Sequence, residues 1–192
     1  MELFEAIQKR RNVHHFKDEA LPGDKLKKIL EKGLLASSAM NMQPWEFIAV
    51  TDQDLVKKIA QYKYDHNMQG LLASNFPKEQ AEEMAGLQRD AFTNSLPVVV
   101  IYDKEKMIPS ESSWNCITTI WLAATAEGLG VSPGFFGLHA QGPLKELLGI
   151  PDGYDIAAIL RIGIPAEIPD AKPRKSLDEC LHKDRFGGGS AL

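Results

Sequence analysis

The sequence predicts an α+β domain in which a mixed β-sheet is flanked by helices. Helical patterns come first, strand patterns separated by helices follow, and one apolar β-branched run, PVVVIY at 97–102, is typical of a central buried strand. The chain has 192 residues, of which 44% are hydrophobic and 25% are charged, as in ordinary globular domains. No repeat or linker divides it, so we predict one domain over residues 1–186 and a flexible tail, GGGSAL, at 187–192.

The first third of the chain alternates helix and loop signals. Residues 2–9 place three apolar side chains on one helical face, which predicts a first helix. After Pro22, apolar residues recur at intervals of three and four, which predicts a second helix with one apolar face. The polar stretch ASSAMNMQPW indicates a loop, and the following EFIAVT indicates a short strand. Asp52 then stands where the N-cap of a third helix is expected.

The remaining two thirds contain the longest helix and most of the strands. Residues 62–95 are polar and irregular, and we predict one or two helices there. Residues 110–127 predict a long helix that is apolar almost all round, which indicates burial inside the domain or at a subunit interface. GVSPGFFGL predicts a strand with a glycine-rich turn, PLKELLGI a short helix, and residues 154–163 another strand. The segment KPRKSLDECLH is predicted to begin as basic coil and to end in a short helix.

Charge and cysteine content exclude several classes of function. The 26 acidic residues outnumber the 22 basic ones, whereas nucleic-acid binding needs a basic surface. No apolar stretch is long enough to cross a bilayer. The two cysteines, Cys116 and Cys180, form neither a zinc-type spacing nor a disulfide framework, which favours a reducing, cytoplasmic location. We therefore expect no nucleic-acid, membrane or metal partner.

Two basic segments near opposite ends of this acidic chain contain no acidic residue. They read KRRNVHHFK at 9–17 and KPRK at 172–175. If they converge, they could bind one anion, and the planar fork of arginine suits a phosphate monoester. The alternative is that the first is a solvated helix end and the second an exposed coil. Asn12 favours the ligand interpretation, because it adds a side-chain donor directly after the doublet Arg10-Arg11.

Two loops could surround a planar ligand. The first, ASSAMNMQPW, is rich in hydroxyls and carboxamides, which can match the edge of a heterocycle. The second, SPGFFG at 132–137, has glycines that let the backbone approach such a ring. Taken alone, each loop is more typical of an ordinary turn. No GxGxxG, Walker or GxSxG motif is present, and no acid, base or nucleophile is evident, which indicates that a bound cofactor carries the chemistry.

Five segments in this order resemble the nitroreductase family of FMN-dependent oxidoreductases. They are AIQKRRNVHHF, ASSAMNMQPWEFIAV, the TAEGLGVSPGFFG region, KELLGIP and KPRKSLDECLH. The resemblance implies a nitroreductase-like, mainly antiparallel sheet in a domain-entwined homodimer with two FMN sites at its interface. The buried face of the 110–127 helix would then form much of the dimer core.

The resemblance also assigns the binding residues. Those expected at the phosphate, the ribityl chain and the pyrimidine ring are Arg10, Arg11, Asn12 and His14, with Lys172 and Arg174 completing the phosphate site. Those expected from the other subunit are Ser37, Ser38, Asn41 and Gln43, and the backbone of Phe136 and Gly137 is expected near flavin N5. Two positions depart from the family pattern, because Asn12 stands where serine is common and His14 where arginine or lysine is common. A middle-region asparagine that often contacts the flavin is not assigned.

The implied activity is hydride transfer from NADH or NADPH through flavin N5 to a quinone, a nitroaromatic or a similar small oxidant. One pocket that serves both substrates in turn implies ping-pong kinetics. The alternative is a flavin-binding or storage module, or a specialised flavin chemistry without nicotinamide turnover. A helical dimeric interaction protein is a third possibility, but it gives no reason for the two basic segments.

Overall fold

The computed structural model describes residues 1–189 of the chain. Part of the predicted flexible tail, residues 190–192, lies outside this range, and the domain boundary at residue 186 stays a prediction. Six α-helices are found in the described range: α1 Leu3–Lys9, α2 Gly23–Gly33, α3 Gln53–Ala73, α4 Lys78–Asp90, α5 Pro109–Ala126 and α6 Gly142–Leu148. Single 3-10 turns form at Ala39–Asn41 and Leu138–Ala140.

The sheet has four strands in the order β1-β2-β4-β3. Their bounds are Trp45–Ala49 for β1, Leu96–Asp103 for β2, Gly130–Gly134 for β3 and Tyr154–Gly163 for β4. All three strand pairs are antiparallel, and parallel pairing over residues 1–189 is limited to an isolated bridge between Asn12 and Val131. The α+β prediction is confirmed, with β2 in the interior of the sheet as its apolar run indicates.

The core lies on both faces of the sheet because successive strand side chains point to opposite sides. On one face, Val98 and Val100 of β2 belong to the cluster that contains Ile117 and Ile120 of α5. On the other face, the cluster around Val99 contains side chains of α3 and α6, namely Ile59 and Leu144. Burial on both faces explains why the β2 sequence is continuously apolar rather than alternating.

Helix α5 is buried by its own chain, which corrects the expectation that its buried face forms the dimer core. Its four most buried apolar side chains, Cys116, Ile117, Ile120 and Ala124, pack against the sheet and α2. Gly33 of α2 allows this close packing, since a Cβ there would collide with Ile120. The opposite side of α5, with Trp114, Thr118 and Leu122, is exposed or half-buried.

The middle region is regular rather than irregular. Helix α3 continues as far as Ala73, and α4 covers 78–90, so the prediction of one or two helices is confirmed. The Asp52 carboxylate caps α3 as predicted, accepting hydrogen bonds from the Asp54 and Leu55 amides at 2.8 and 3.2 Å.

The predicted helix at the end of KPRKSLDECLH is wrong. Only a turn forms there, although the Glu179 carboxylate accepts a hydrogen bond from the Ser176 amide at 2.7 Å, as in a capping box. Its apolar residues do not pack into the core: Leu177 is 71% exposed, and Cys180 is exposed as well. Without tertiary packing, so short a helix is not stable in water.

Candidate active site

The start and the end of the chain run side by side. The Lys17 amide donates to the Ile164 carbonyl at 2.8 Å, and the Ala166 amide donates to the His15 carbonyl at 3.0 Å. The pairing of 13–17 with 164–166 carries the C-terminal segment back along the N-terminal one. Arg11 extends it, because its Nε donates to the Pro169 carbonyl at 3.1 Å.

The two basic segments meet as a result. Partial burial lowers the pKa of Arg10, and the nearby charges of Arg174 and then Arg11 lower it further. Lys172 likewise contributes to the lowered pKa of His14. We call the side chains of Arg10, Arg11, Lys172 and Arg174 the cationic cluster. No ion pair over residues 1–189 includes any of the four.

The cationic cluster has one aromatic support that sequence reasoning missed. The Arg10 guanidinium carbon lies 4.1 Å from the centroid of the Trp121 ring on α5. The indole Nε1 donates to the Arg11 carbonyl at 3.0 Å, which fixes the ring against the N-terminal segment. Trp121 was visible in the sequence only as part of an apolar helix, so its contact with a cation could not be inferred from spacing.

Arg11 differs from Arg10 in what it binds. Its Nη1 donates to the carbonyls of Gln8 at 2.6 Å and Arg10 at 3.0 Å, in addition to the Nε bond to Pro169. Most of its fork therefore binds main-chain carbonyls and fastens the two chain ends together. Its role as a cofactor ligand stays a prediction.

His14 is half-buried next to β3. Its Nδ1 lies 3.3 Å from the Ser132 hydroxyl, which accepts a hydrogen bond from Arg161 Nη2 at 2.8 Å. Burial lowers the pKa of His14, followed by the charges of Arg161, His15 and Lys172. The lowered pKa favours the neutral ring, so His14 offers a neutral group where the resemblance leads one to expect a cation. Asn12, two residues earlier, is exposed and pairs through its backbone with Val131.

The loop 36–43 lies away from the cationic cluster within one subunit. It is attached to the first half of α5, where the Ala39 amide donates to Ser112 Oγ at 3.3 Å and Asn115 Nδ2 donates to the Ser37 carbonyl at 3.2 Å. Arg10 is attached near the other end, at Trp121. At 1.5 Å per helical residue, Ser112 and Trp121 are about 14 Å apart along the axis. Within one subunit the loop and the cationic cluster therefore lie beside different parts of α5.

The loop itself is exposed and holds an uncommon conformation. Met40, Asn41 and Gln43 have φ values of 49°, 55° and 44°, a left-handed region that non-glycine residues seldom adopt. Ser38 Oγ accepts from the Gln43 amide at 3.0 Å, and Gln43 Nε2 donates to Asn41 Oδ1 at 3.2 Å. Backbone strain of this kind is concentrated at ligand sites.

The 135–140 loop is fixed from inside the protein. Phe136 is 1% exposed, and its carbonyl accepts from the buried Gln141 Nε2 at 3.2 Å. Lys63 of α3 donates from Nζ to the Phe135 carbonyl at 2.7 Å and lies 4.3 Å from the Phe136 ring centroid. The His139 ring covers Gly137 so closely that a Cβ there would meet it at 2.7 Å.

Two buried cations lie beneath this part of the chain. Burial lowers the pKa of Lys63 to about 8, with a further contribution from Arg161, and burial lowers the pKa of Arg161 to about 10. Sequence reasoning missed both residues. Arg161 was detectable as a single charge inside the apolar strand IAAILRI, whereas Lys63 looked like any other helical lysine.

The arrangement can bind an anion and surround a neutral heterocycle. The cationic cluster matches a dianion such as a phosphate, because it has several charged donors and no paired acid. No group of three or more histidine, cysteine or acidic side chains in residues 1–189 is placed to hold a metal ion. Nor does any helix in that range have the length and apolarity needed to cross a bilayer. Cys116 is no nucleophile, since burial raises the pKa of its thiol to about 12.

The model of the Nitroreductase family matches residues 7–164. The chain belongs to the nitroreductase family. The family match ends at residue 164, before Lys172 and Arg174, so these two members of the cationic cluster lie beyond it.

Three similar proteins illustrate the breadth of the nitroreductase family. Iodotyrosine deiodinase of Thermotoga neapolitana is 28% identical, over 93% of this chain and 95% of its own length. The 5,6-dimethylbenzimidazole synthase of Rhodobacter capsulatus is 31% identical, over 89% of this chain and 86% of its own length. A crystal structure of oxidized iodotyrosine deiodinase bound to FMN and 3-iodo-L-tyrosine superposes with a TM-score of 0.82 at 25% identity, over 96% of this chain and 100% of that one.

Proposed function

We propose that this nitroreductase-family protein is an FMN-dependent oxidoreductase. It would take hydride from NADH or NADPH and pass it to a quinone, a nitroaromatic or a similar small oxidant in a ping-pong cycle. The observation that carries the proposal is the pairing of the N-terminal segment with the chain that leads to Lys172 and Arg174, which brings the two basic segments together. The four side chains of the cationic cluster form no ion pair with an acid among residues 1–189. FMN has the dianionic phosphate that such a cluster matches, and one related structure holds FMN.

The residues present fit FMN in a consistent order along the N-terminal segment. Arg10, Lys172 and Arg174 would bind the phosphate, and the exposed Asn12 would bind the ribityl chain. His14 would reach the pyrimidine ring as a neutral donor. When bound, FMN supplies the reversible hydride acceptor that the protein side chains lack.

The second half of the site is proposed to come from a partner subunit. Ser37, Ser38, Asn41 and Gln43 are attached to the first half of α5, whereas Arg10 is attached at Trp121, so we infer that this loop serves the site of the other subunit. The subunit also exposes large apolar side chains that a dimer would cover, such as Phe4 at 78% and Leu35 at 77%. A homodimer would therefore complete each FMN site with the other subunit's loop 36–43.

The protein's own contribution to the reaction is position and electrostatic field. The Phe135–Gly137 backbone is held rigidly by Lys63 and Gln141, so it can present its remaining polar groups to the flavin without reorganising. Lys63 and Arg161 place positive charge beneath the same segment, which favours a ligand that gains negative charge on reduction. No side chain has to act as acid or base for the hydride step.

Two measurements on the purified protein test the proposal. The protein should be yellow or should become yellow with added FMN, and the colour should bleach when NADH or NADPH is added without oxygen. Stopped-flow traces with each nicotinamide, followed by reoxidation with a quinone and a nitroaromatic, would define the two half-reactions. A protein that stays colourless in excess FMN would refute the cofactor, and with it the whole proposal.

A second candidate is specialised flavin chemistry without nicotinamide turnover. It is favoured by the relatives, since one is named as a deiodinase and another as a synthase rather than as a reductase. The discriminating result is the rate of anaerobic bleaching. Bleaching by dithionite but not by either nicotinamide over minutes would favour this candidate, or a flavin-binding module, over the first.

The dimer and the location are proposed separately. Dilution should release FMN together with monomer, as followed by flavin fluorescence and light scattering on the same samples, and a monomer that keeps FMN would contradict the shared site. The free thiols of Cys116 and Cys180 support the proposed cytoplasmic location.

A further inference from the structure

Arg161 is a fully buried cation that has no acidic partner among residues 1–189. It lies on β4 at 0% exposure, and its Nε donates to the Ser132 carbonyl at 3.0 Å while Nη2 donates to the Ser132 hydroxyl at 2.8 Å. Nη1 donates to the Gln88 carbonyl at 2.9 Å and to Gln88 Oε1 at 3.2 Å. Every one of these acceptors is neutral, and the buried polar side chains of residues 1–189 include no aspartate or glutamate.

Hydrogen bonds from Arg161 join β4 to β3 and to α4, but fold stability alone does not require a charge at this position. Its neighbours along β4 are apolar and buried, so a branched aliphatic side chain would continue the pattern without any desolvation of charge. Burying a charge without an opposite charge is costly even when its hydrogen bonds are satisfied. A buried charge at this position is better explained by its electrostatic and hydrogen-bonding effect on neighbouring groups of the site.

The hydrogen bonds of Arg161 influence which ring nitrogen of His14 carries the proton. Arginine can only donate, so the Ser132 oxygen accepts from Arg161, and the hydroxyl proton is left for another acceptor. His14 Nδ1, at 3.3 Å, is in position to be that acceptor. A ring that accepts at Nδ1 carries its proton on Nε2, and Nε2–H is then the donor available to a ligand.

We propose that Arg161 is a positioning residue for the flavin site, holding His14 as the Nε2–H tautomer through Ser132 and favouring the reduced over the oxidised cofactor through its unneutralised charge. The second part rests on the proposed function, whereas the first can be measured without any flavin. The two effects also separate by variant, since one needs the fork of Arg161 and the other needs only its charge.

The tautomer is tested in the apoprotein by ¹⁵N NMR of the imidazole nitrogens. The chain has five histidines, and a His14→Gln variant assigns the His14 signals by their loss. The wild type should show His14 protonated on Nε2, and Ser132→Ala and Arg161→Lys should each give a mixture of tautomers. An unchanged Nε2–H tautomer in both variants would overturn the first part.

The charge is tested by the midpoint potential of bound FMN, measured by spectroelectrochemistry. Gln88→Glu places a carboxylate on Arg161 in nearly the same shape, so it neutralises the charge without a cavity. It should weaken the binding of reduced FMN relative to oxidised FMN at least tenfold, which is about 30 mV for a two-electron couple. Arg161→Lys keeps the charge and should stay near the wild-type potential.

Controls separate the proposal from damage to the fold and from the proposed function. Arg89→Gln removes an exposed arginine from the same helix as Gln88 and should change neither readout, and thermal unfolding checks each variant. A wild-type potential in Gln88→Glu overturns the second part while leaving an FMN enzyme in place. Failure of the wild type to bind FMN instead refutes the proposed function, and the apoprotein NMR still decides the first part.

Discussion

The protein has two groups of cations that lie in the same part of the molecule but differ in their exposure to solvent. The cationic cluster, exemplified by Arg10 and Arg174, lies at the chain ends and is partly open to solvent, whereas Arg161 and Lys63 are buried beneath the 132–137 segment. An open cation can attract and release a ligand, while a buried one acts as a fixed field. On the proposed function, the difference implies that separate parts of the chain would provide affinity for the cofactor and control of its chemistry.

The strongest test of this division removes the open cations. The double variant Arg10→Ala and Arg174→Ala should lose about 3–6 kcal/mol of FMN binding, because each charge-assisted hydrogen bond contributes about 1.5–3 kcal/mol. Fluorescence titration should show the dissociation constant rising by about two to four orders of magnitude. Lys9→Ala is the matched control, since Lys9 belongs to the same basic run but is paired with Glu5 at 2.7 Å. If the double variant keeps full flavin occupancy at micromolar protein concentration, the phosphate lies elsewhere.

The buried lysine, Lys63, should make the free energy of unfolding depend on pH. The pKa of Lys63 is about 8 in the folded protein against a usual 10.5, so the unfolded chain binds more protons across this interval. Stability therefore rises with pH, and the rise attributable to Lys63 between pH 7 and pH 9.5 is about 2 kcal/mol.

Urea unfolding across that range measures the rise. Lys63→Met should reduce the rise in stability between pH 7 and pH 9.5. The control Lys58→Met, at an exposed position of the same helix, should leave that rise as in the wild type. A slope that Lys63→Met does not alter would mean that this lysine is not desolvated, and the contrast with the open cluster would fail.

The smallest expected effect concerns the aromatic support of the open cluster. Trp121→Phe keeps a ring beneath Arg10 but removes the indole donor to the Arg11 carbonyl. The loss of one neutral hydrogen bond predicts about 0.5–1.5 kcal/mol weaker FMN binding, a factor of about 2–12. Titration at equal ionic strength measures it. Equal affinities would indicate that the ring, without its donor, is sufficient to position Arg10.

The elements that could be predicted from the sequence are those that depend on local sequence patterns and not on tertiary packing. The uniform apolar run of β2 and the spacing of α5 reflect burial and periodicity, so strand and helix were both predicted within one or two residues. The segment around Leu177 failed because helix formation there required an apolar partner surface, which a local pattern cannot reveal. The covering of the buried face of α5 by its own sheet was undetermined for the same reason.

The site divides in the same way. Two acid-free basic runs showed that Arg10 and Arg174 could meet, and the family resemblance assigned both to one phosphate site. Arg161, Ser132 and Gln88 could not be connected, since their link spans three elements that are distant in sequence. Trp121 has the same character, because its contact with Arg10 depends on how α5 meets the N-terminal segment.

The pairing of residues 13–17 with 164–166 has a consequence for shortened forms of the protein. The last strand of the sheet ends at Gly163, so Lys172 and Arg174 follow a sheet that is already complete without them. A chain that stops before Lys172 should therefore keep its sheet but, on the proposed function, bind FMN more weakly and gain less stability from it.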